Sequence, residues 1–583
     1  MKMLRCAALV LFMCVSPAWA QQQRGETDGL WAARVRYGPD VRGPLLIERR
    51  EGRLIADIGG RQVEARIEDD VLRFDLPNAQ GGFRGRFVSR EREIRGHWIQ
   101  ARTMSSGSGY ASPLTLTRTR DGQWRGVVAP LDDAMTMYLD IRTDDHGVMR
   151  TYIRNPERNV GVLARVDRIE RQGDRLRLVA RFRGRSDEQV LAEADYDHNN
   201  DLIPFHFAPF GVTMDFAQAS AEDERSFYPR SRQPEPYVYA APPTLDDGWR
   251  AATLEQERID PGQIGAFMNM LLREPMTDVS TPQIHGVLIA RHGRIVLEEY
   301  FHGFSRDTVH DTRSAAKSIT AVMIGAAMQN GAPFTPQDLL VESVDPALLP
   351  AVVDPRLRQV RLENVMTMAP GFDCDDSDGD SPGNEDAMQE QRREPNWWRF
   401  ALAVPMARTP GERAVYCSMN PNLMGAVLTH ETGRDLADLF GEEVARPMQI
   451  DRYFLNLQPF GEPYLGGGMQ ITLRDFAKFG QLVLDDGVWN GRRIVARGYM
   501  ARAVSALTQL GQNGYGYYWY ASTRPYHGRD VRVVWMGGNG GQIVMVVPEL
   551  DLVIAAFGGN YSDRATFKMQ DEYVPQYILP AVR

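Results

Sequence analysis

Short runs of alternating apolar and polar residues dominate the first 228 positions of the chain. Runs at 72–76, 114–116 and 175–178 are examples, and turn residues separate them. A period of two is typical of β-strands that have one buried face and one solvated face. Helical spacing is nearly absent here, so the sequence predicts an antiparallel, barrel-like all-β domain over residues 21–228.

A weak internal repeat indicates that this domain is duplicated. The sequence Asp-Gly-Leu-Trp at 28–31 recurs as Asp-Gly-Gln-Trp at 121–124, 93 residues later. Phe-Arg-Gly-Arg at 83–86 recurs at 182–185, 99 residues later. Two related units of about 95 residues, forming one barrel or two packed modules, fit these offsets. The alternative is chance similarity among turns that are rich in glycine and arginine.

The pattern changes after a proline-rich segment at 229–247, which contains five prolines and predicts a semi-extended linker. From residue 248 to 583, helical and strand periods both occur. The predicted helices are 260–272, a run that begins at 314, 422–432, 436–444 and 473–484. The predicted strands are a hairpin at 284–291 and 294–300, then 542–547 and 552–557. This order predicts an α+β domain with a mainly antiparallel sheet.

The first twenty residues have the pattern of a signal peptide. Lys2 and Arg5 precede an apolar run at 7–15, and Ala18-Trp19-Ala20 is a small-x-small cleavage site. The apolar run is too short to remain as a membrane anchor. We therefore expect cleavage near Ala20 and a soluble protein that is periplasmic or secreted.

Composition excludes several function classes. The chain is 43% apolar and 25% charged with a net charge of −9, and its arginines are interspersed with acids. This is typical of a globular protein without a nucleic-acid partner. The acidic run at 195–201 resembles the start of a calcium loop. However, its sixth position is Asn200 and its twelfth is His206, which favours a polar turn. We expect no metal and no organic cofactor.

The candidate chemistry begins with Ser314 and Lys317, three residues apart at the start of the helical run 311–331. Positions i and i+3 share a helix face, so the hydroxyl and the amine are expected to meet. A serine beside an amine is a pattern for an activated nucleophile. The pair alone is common by chance, and a capping serine with a solvated lysine is the alternative.

Four further motifs follow Ser314-Ala-Ala-Lys317. They are Met-Thr-Met-Ala-Pro-Gly at 366–371, the segment 410–418 around Tyr416, Gly-Gly-Gly-Met at 466–469, and Trp-Met-Gly-Gly-Asn-Gly-Gly-Gln at 535–542. In this order they resemble the serine β-lactamase and penicillin-binding-protein superfamily, in its class C-like branch with DD-peptidases, esterases and 6-aminohexanoate-dimer hydrolases. The resemblance covers about residues 250–583. It implies an antiparallel sheet with a helical subdomain.

The resemblance also implies a mechanism. Ser314 would attack an ester or amide carbonyl and form an acyl-enzyme, with Lys317 and Tyr416 sharing its proton. Which of these two is the general base stays open. The oxyanion hole would use the backbone N–H of Ser314 and that of Gly538 or Asn539.

Two departures from the family pattern affect the expected substrate. Ser418 takes the third place of the Tyr-x-Asn motif, and Trp535-Met-Gly537 replaces Lys-Thr-Gly. That lysine helps to hold a substrate carboxylate in the family, so its loss argues against an efficient β-lactamase or DD-peptidase. Trp535, Gly537 and Ser418 are candidate pocket residues, and simple packing is the alternative for Trp535.

Two cysteines, Cys374 and Cys417, remain after signal removal. They either form a disulfide or remain separate buried thiols. Their segments are neighbours in the resembled family, which favours a disulfide that tethers the loop 373–386 to the active site. This loop contains seven acids. It would attract cationic substrates or a cation, or it is simply a solvated loop.

The sequence thus predicts an exported serine hydrolase that acts on a small-molecule or peptide-like ester or amide. A β-lactamase or DD-peptidase acting on peptidoglycan-like substrates is the enzymatic alternative. A non-catalytic binding protein on the same fold is the alternative from another class. The partner of the β domain is left open.

Overall fold

The structure, a computed structural model, describes residues 26–105, 107–208 and 211–583. The predicted signal peptide at 1–20 lies outside these residues. Within them, a β region is followed by a domain of helices around a large sheet, so the predicted fold class is confirmed. In the described part of the chain, no helix is both long and apolar enough to span a bilayer.

The strands of the described residues are β1 Gly29–Gly38, β2 Gly43–Arg50, β3 Arg53–Ile58, β4 Arg61–Glu68, β5 Val71–Asp75, β6 Gly81–Val88, β7 Glu93–Gln100, β8 Gly109–Arg118, β9 Trp124–Val128, β10 Asp133–Thr143, β11 Met149–Arg150, β12 Ile153–Arg154, β13 Ala164–Gln172, β14 Arg175–Phe182, β15 Glu188–Asp195, β16 Leu202–Phe207, β17 Val212–Gln218, β18 Arg250–Ala251, β19 Ile284–Arg291, β20 Arg294–Tyr300, β21 His310–Asp311, β22 Tyr453–Leu457, β23 Gln470–Ile471, β24 Val488–Trp489, β25 Arg492–Arg493, β26 Thr508–Leu510, β27 Asn513–Tyr515, β28 Tyr520–Tyr526, β29 Arg529–Gly538, β30 Gln542–Val547 and β31 Leu552–Gly558.

The α-helices of the same residues are α1 Ala221–Phe227, α2 Pro261–Leu272, α3 Ala316–Gln329, α4 Leu362–Met366, α5 Glu385–Glu390, α6 Trp397–Ala403, α7 Met419–Thr432, α8 Leu436–Phe440, α9 Leu473–Leu484, α10 Arg497–Ala503 and α11 Leu579–Ala581. The predicted helix at 436–444 ends at Phe440 as α8 and continues as a wider turn, Gly441–Ala445. The run predicted from Ser314 begins with a tight turn, Arg313–Ala315, before α3.

The β region forms two closed eight-stranded barrels. Barrel 1 has the order β9-β2-β3-β4-β5-β6-β7-β8 and closes where β8 pairs with β9. Barrel 2 has the order β1-β10-β11-β13-β14-β15-β16-β17 and closes where β17 pairs with β1. Buried apolar side chains fill the interior of each barrel. Their interiors are therefore packed cores of the kind expected for small barrels.

The two barrels exchange their first strands. β1 begins the first sequence unit but lies between β10 and β17 of barrel 2, whereas β9 begins the second unit but lies between β2 and β8 of barrel 1. The repeated tryptophans, Trp31 and Trp124, are fully buried in these exchanged strands. Counted from the exchanged strand, Phe83 lies in the sixth strand and Phe182 ends the fifth. The first sequence repeat therefore marks equivalent strands, and the second does not.

The large sheet of the second half has the order β18-β20-β19-β31-β30-β29-β28-β27-β26 and is antiparallel except for the β18–β20 pair. Successive residues of β29 face opposite cores, as the strand period requires. Val533 and Trp535 pack with α2 and the C-terminal segment Met569–Ile578, whereas Val534 and Met536 pack with α3 and α9.

The proline-rich segment at 229–247 contains no regular element. The backbone N–H of Tyr237 donates to Asn269 Oδ1 at 2.9 Å, and its hydroxyl donates to Glu299 at 2.6 Å. The hydroxyl of Tyr239 donates to the Val296 carbonyl at 2.9 Å. The segment therefore runs along the second half of the chain and is attached to it.

Three buried histidines connect β19 to the start of the nucleophile turn. His285 Nδ1 lies 2.9 Å from His310 Nε2, and His302 Nδ1 donates to the Phe227 carbonyl at 3.0 Å. Burial lowers the pKa of all three imidazoles, and that of His310 falls to about 4. They are therefore neutral at pH 7.

These histidines predict that stability decreases in acid. Between pH 6.5 and 4 the unfolded chain binds protons that the folded chain does not, so the free energy of unfolding falls as pH falls. For His310 alone the loss is about 3 kcal/mol. Urea unfolding at pH 7.5 and 4.5 should show a smaller pH effect in His310→Gln than in the wild type. The exposed His146→Gln is the control, and equal pH effects in all three proteins would contradict the prediction.

Candidate active site

The turn that carries Ser314 is held by hydrogen bonds of the residues that precede the serine. The N–H and hydroxyl of Thr312 both donate to the Met469 carbonyl, at 2.9 and 2.8 Å. The Asp311 carboxylate accepts the N–H of Arg313 at 2.8 Å. Arg313 has a left-handed backbone, with φ of 48°, a conformation that costs a non-glycine residue free energy and needs such support. The following residue, Ser314, is partly exposed.

Lys317 points from the first turn of α3 at the serine. Its Nζ lies 2.9 Å from Ser314 Oγ and donates to the Gly466 carbonyl at 2.6 Å. The side chain is 1% exposed, and this burial lowers the pKa of Lys317, although Glu385 and Asp376 oppose the shift. The i, i+3 contact predicted from the sequence is therefore present.

Tyr416 completes the set of three predicted catalytic residues. Its ring centroid lies 5.0 Å from Lys317 Nζ, and its hydroxyl interacts with Ser314. Burial raises the pKa of Tyr416, and the hydrogen bond with Ser314 offsets only part of this shift. The tyrosine is thus a neutral phenol at pH 7, while the neighbouring amine has lost proton affinity.

Two acids of the loop 373–386 point into the site. Asp376 accepts the N–H and the hydroxyl of Ser418 at 2.7 and 2.6 Å, and its own N–H donates to the Tyr416 carbonyl. Glu385 donates its N–H to Asp376 and accepts the hydroxyl of Tyr464 at 2.6 Å. These carboxylates form an anionic layer behind Lys317. The sequence indicates an acidic loop, but its composition does not show which of the acids turn inward, so Asp376 and Glu385 were not predicted as site residues.

The rest of the loop behaves as a solvated segment. Asp378, Asp380 and Asp386 are exposed. The structure contains the predicted disulfide between Cys374 and Cys417, whose Cα atoms are 5.8 Å apart. This bond joins the loop to the residue that directly follows Tyr416.

Of the predicted oxyanion residues other than Ser314, Gly538 ends β29 and Asn539 directly follows it. A Cβ atom on Gly538 would be 2.3 Å from the Thr312 carbonyl and 3.2 Å from the N–H of Ala315, so only glycine allows this close approach. Asn539 is exposed, and its side chain accepts the N–H of Ser562 at 2.7 Å. The strand end therefore packs directly on the turn that carries Ser314.

The candidate pocket residues are placed differently from one another. Gly537 is partly exposed, but Ser418 is fully buried and bonded to Asp376, and Trp535 is 3% exposed. Trp535 stacks on Tyr520 with ring centroids 5.3 Å apart. A substrate would not touch Ser418 or Trp535 without rearrangement, because both side chains are used in packing. Tyr520 also interacts electrostatically with Tyr416 and Lys317, and no motif in its strand marked it.

Comparison with known proteins identifies the second half of the chain. The β-lactamase family model matches residues 271–566, just over half of the 583 residues. The chain belongs to the β-lactamase family. Family membership and the geometry above identify a serine hydrolase of this family, without specifying its substrate.

Individual relatives of this β-lactamase-family chain are distant. The 6-aminohexanoate-dimer hydrolase of Paenarthrobacter ureafaciens is 25% identical over 265 residues, which are 43% of this chain and 64% of that protein. The chain therefore spans less than two thirds of the length of this curated relative.

Solved structures that resemble this chain also have low sequence identity to it. The hydrolase EstCE1, described as having promiscuous acyltransferase activity, has a TM-score of 0.42 and 16% identity, and covers 54% of this chain and 98% of its own. A D-stereospecific amidohydrolase from Streptomyces sp. has a TM-score of 0.39 and 15% identity, with coverages of 50% and 94%.

The disulfide of this site predicts a measurable stabilisation. It spans a sequence separation of 43 residues, so the double variant Cys374→Ser with Cys417→Ser should lose about 4 kcal/mol of unfolding free energy. Urea unfolding with and without reductant measures this. Reductant should destabilise the wild type and leave the double variant unchanged. Equal stability of the wild type and the double variant would contradict the prediction.

Proposed function

We propose that this protein cleaves an ester or amide through an acyl-enzyme on Ser314. One observation carries the proposal: a buried lysine amine lies 2.9 Å from the hydroxyl of a partly exposed serine. A nucleophile needs a base within hydrogen-bond reach, which Lys317 provides, and burial lowers the pKa of this amine, which favours its neutral, basic form.

We assign the role of general base to Lys317 and not to Tyr416. Burial lowers the pKa of the Lys317 amine, which favours the neutral base. Burial raises the pKa of the Tyr416 phenol, which keeps it protonated. The neutral amine can keep one N–H on the Gly466 carbonyl while its lone pair faces the Ser314 hydroxyl. Tyr416, which stays protonated, is placed to pass a proton to the leaving group.

The reaction then has two steps, the acylation of Ser314 and the hydrolysis of the acyl-enzyme. Ser314 Oγ bonds to the substrate carbonyl carbon as its proton moves to Lys317, and the carbonyl electrons move to the oxygen. The tetrahedral intermediate re-forms the carbonyl and breaks the bond to the alcohol or amine, which receives the proton through Tyr416. Water then attacks the acyl-enzyme carbonyl as its proton moves to Lys317. The bond to Ser314 Oγ breaks, the acid is released, and the proton returns to Ser314.

The developing oxyanion would be held by backbone N–H groups. The close packing of Gly538 on the nucleophile turn supports a hole formed by the N–H of Ser314 and one N–H of the strand end at Gly538 or Asn539. Fixed donors of this kind cost no reorganisation during the reaction.

We propose ester and amide substrates in preference to β-lactams or D-Ala-D-Ala ends. The position that carries a carboxylate-binding lysine in the resembled motif holds Trp535, which lies in the core. Arg313, the cation next to Ser314, is paired with Asp311 at 3.1 Å. The name of the Paenarthrobacter ureafaciens relative gives an amide-bond precedent within the family.

We also propose that the protein is exported to the periplasm or secreted. The residues that would direct export lie outside the described part of the chain. The Cys374–Cys417 disulfide supports the proposal, since such bonds persist in oxidising compartments.

Replacement of the nucleophile tests the proposed function. Ser314→Ala should abolish labelling by a fluorophosphonate probe and reduce p-nitrophenyl acetate hydrolysis to the uncatalysed rate. Ser305→Ala, an exposed serine in the loop before β21, should label like the wild type. Absence of labelling and turnover in the wild type would refute the proposal, and rapid nitrocefin hydrolysis would refute the substrate preference.

The charge of Glu385 should set the pH at which activity appears. Activity should rise with pH as Lys317 loses its proton, and Glu385 opposes this loss. Glu385→Gln should therefore move the rise in kcat/KM to lower pH, whereas the exposed Asp386→Asn should not. A pH–rate profile measures the shift. Movement to higher pH, or none, would contradict Lys317 as the base.

A further inference from the structure

Barrel 1 continues into the strands that lead to the nucleophile. β8 pairs with β22 through Tyr110 and Asn456, β22 pairs with β23, and β23 pairs with β21. β21 ends at Asp311, three residues before Ser314. An unbroken ladder of main-chain hydrogen bonds therefore joins the barrel wall to the active site.

A histidine of barrel 1 makes a second connection. His97 faces outward from β7, and its Nε2 lies 2.8 Å from the Tyr453 hydroxyl while its Nδ1 lies 3.2 Å from Asp438. It is only 5% exposed. An outward residue of a filled barrel is expected to be solvated, so this burial comes from the second half of the chain. Gly441 permits the approach, because a Cβ there would lie 3.3 Å from the imidazole.

An arginine of barrel 1 makes a third connection. Arg84 of β6 pairs in register with His97 and therefore shares its face. Its guanidinium donates to the Gly461 carbonyl at 3.0 Å and lies 4.0 Å from the Glu462 carboxylate. Three neighbouring strands of barrel 1 thus hold β22 and the loop 458–469 that follows it.

This loop, named here the anchored loop (residues 458–469), supplies part of the catalytic environment. Its Gly466 carbonyl accepts the Lys317 amine, and its Tyr464 hydroxyl donates to Glu385. The N–H of Tyr464 in turn donates to the carbonyl of Asn456, the residue that pairs with the barrel. A displacement of the anchored loop would therefore change the orientation of the lysine.

We propose that barrel 1 is a positioning part of the active site, in which Arg84 and His97 fix the anchored loop and so the geometry of Lys317. This deepens, and rests on, the proposed function. It predicts that these residues affect the chemical step more than substrate binding, because they act on the orientation of Lys317 through the anchored loop and do not contact Ser314. A displacement of about 1 Å can cost on the order of 100-fold in rate.

The test compares barrel variants with a matched control in the full chain. His97→Ala and Arg84→Met should lower kcat for p-nitrophenyl acetate by about 10-fold or more with little change in KM. His97→Gln, which keeps a hydrogen-bonding group for Tyr453, should recover most of the loss. Arg53→Met is the control, because Arg53 is an exposed barrel 1 residue that pairs only weakly with Glu64, at 3.7 Å.

A smaller substitution distinguishes a positioning defect from a folding defect. Tyr453→Phe removes one hydroxyl, and its effect on kcat should be non-additive with that of His97→Ala, since the two side chains share one hydrogen bond. Wild-type kcat in folded His97→Ala, Arg84→Met and Tyr453→Phe would overturn the proposal.

An independent readout keeps the proposal separate from the proposed function. Amide hydrogen exchange in the anchored loop should be faster in His97→Ala than in Arg53→Met. If the wild type shows no turnover, the proposed function fails, but the exchange result still decides whether barrel 1 holds the loop. Unchanged exchange would overturn the positioning role.

Discussion

The buried amine of Lys317 is the group on which the active site depends. Burial disfavours its charge, and a buried charge needs partners within hydrogen-bond reach. The partners present are one serine hydroxyl and one main-chain carbonyl, at 2.9 and 2.6 Å. The carbonyl belongs to a glycine, because a Cβ on Gly466 would lie 2.2 Å from the Tyr464 hydroxyl. The amine is thus aimed at the nucleophile by backbone that cannot easily move.

The anionic layer behind this amine opposes the effect of burial on the pKa of Lys317. Desolvation lowers the pKa of Lys317 and so favours its neutral form, while Glu385 and Asp376 favour the charged form. Both acids come from one loop, and the Cys374–Cys417 disulfide joins that loop to the residue beside Tyr416. The loop therefore affects the base through charge and the tyrosine through position, although none of its residues attacks the substrate.

Features that follow from local sequence patterns were predicted correctly, whereas most contacts between distant segments were not. The i, i+3 pair Ser314 and Lys317 lies at the start of one helix, and the strands predicted at 542–547 and 552–557 are β30 and β31, so both were predictable. The inward turn of Glu385 and the burial of Trp535 depend on what packs above them, which no local period encodes. The resemblance placed a lysine site at position 535, but only the sheet shows that the indole there is used for packing.

The exchange of first strands explains why the β region was difficult to divide from sequence. A repeat of 93 residues indicates two units, yet each unit contributes its first strand to the other barrel. In this structure the first strand of the other unit closes each barrel, and without β9 the strands β2 and β8 of barrel 1 would each present an open edge. Barrel 1 therefore depends on the second sequence unit for its closing strand β9, and the same barrel wall pairs with β22 beside the active site. A chain cut between the repeats would lose barrel closure and would also weaken the support beneath Lys317.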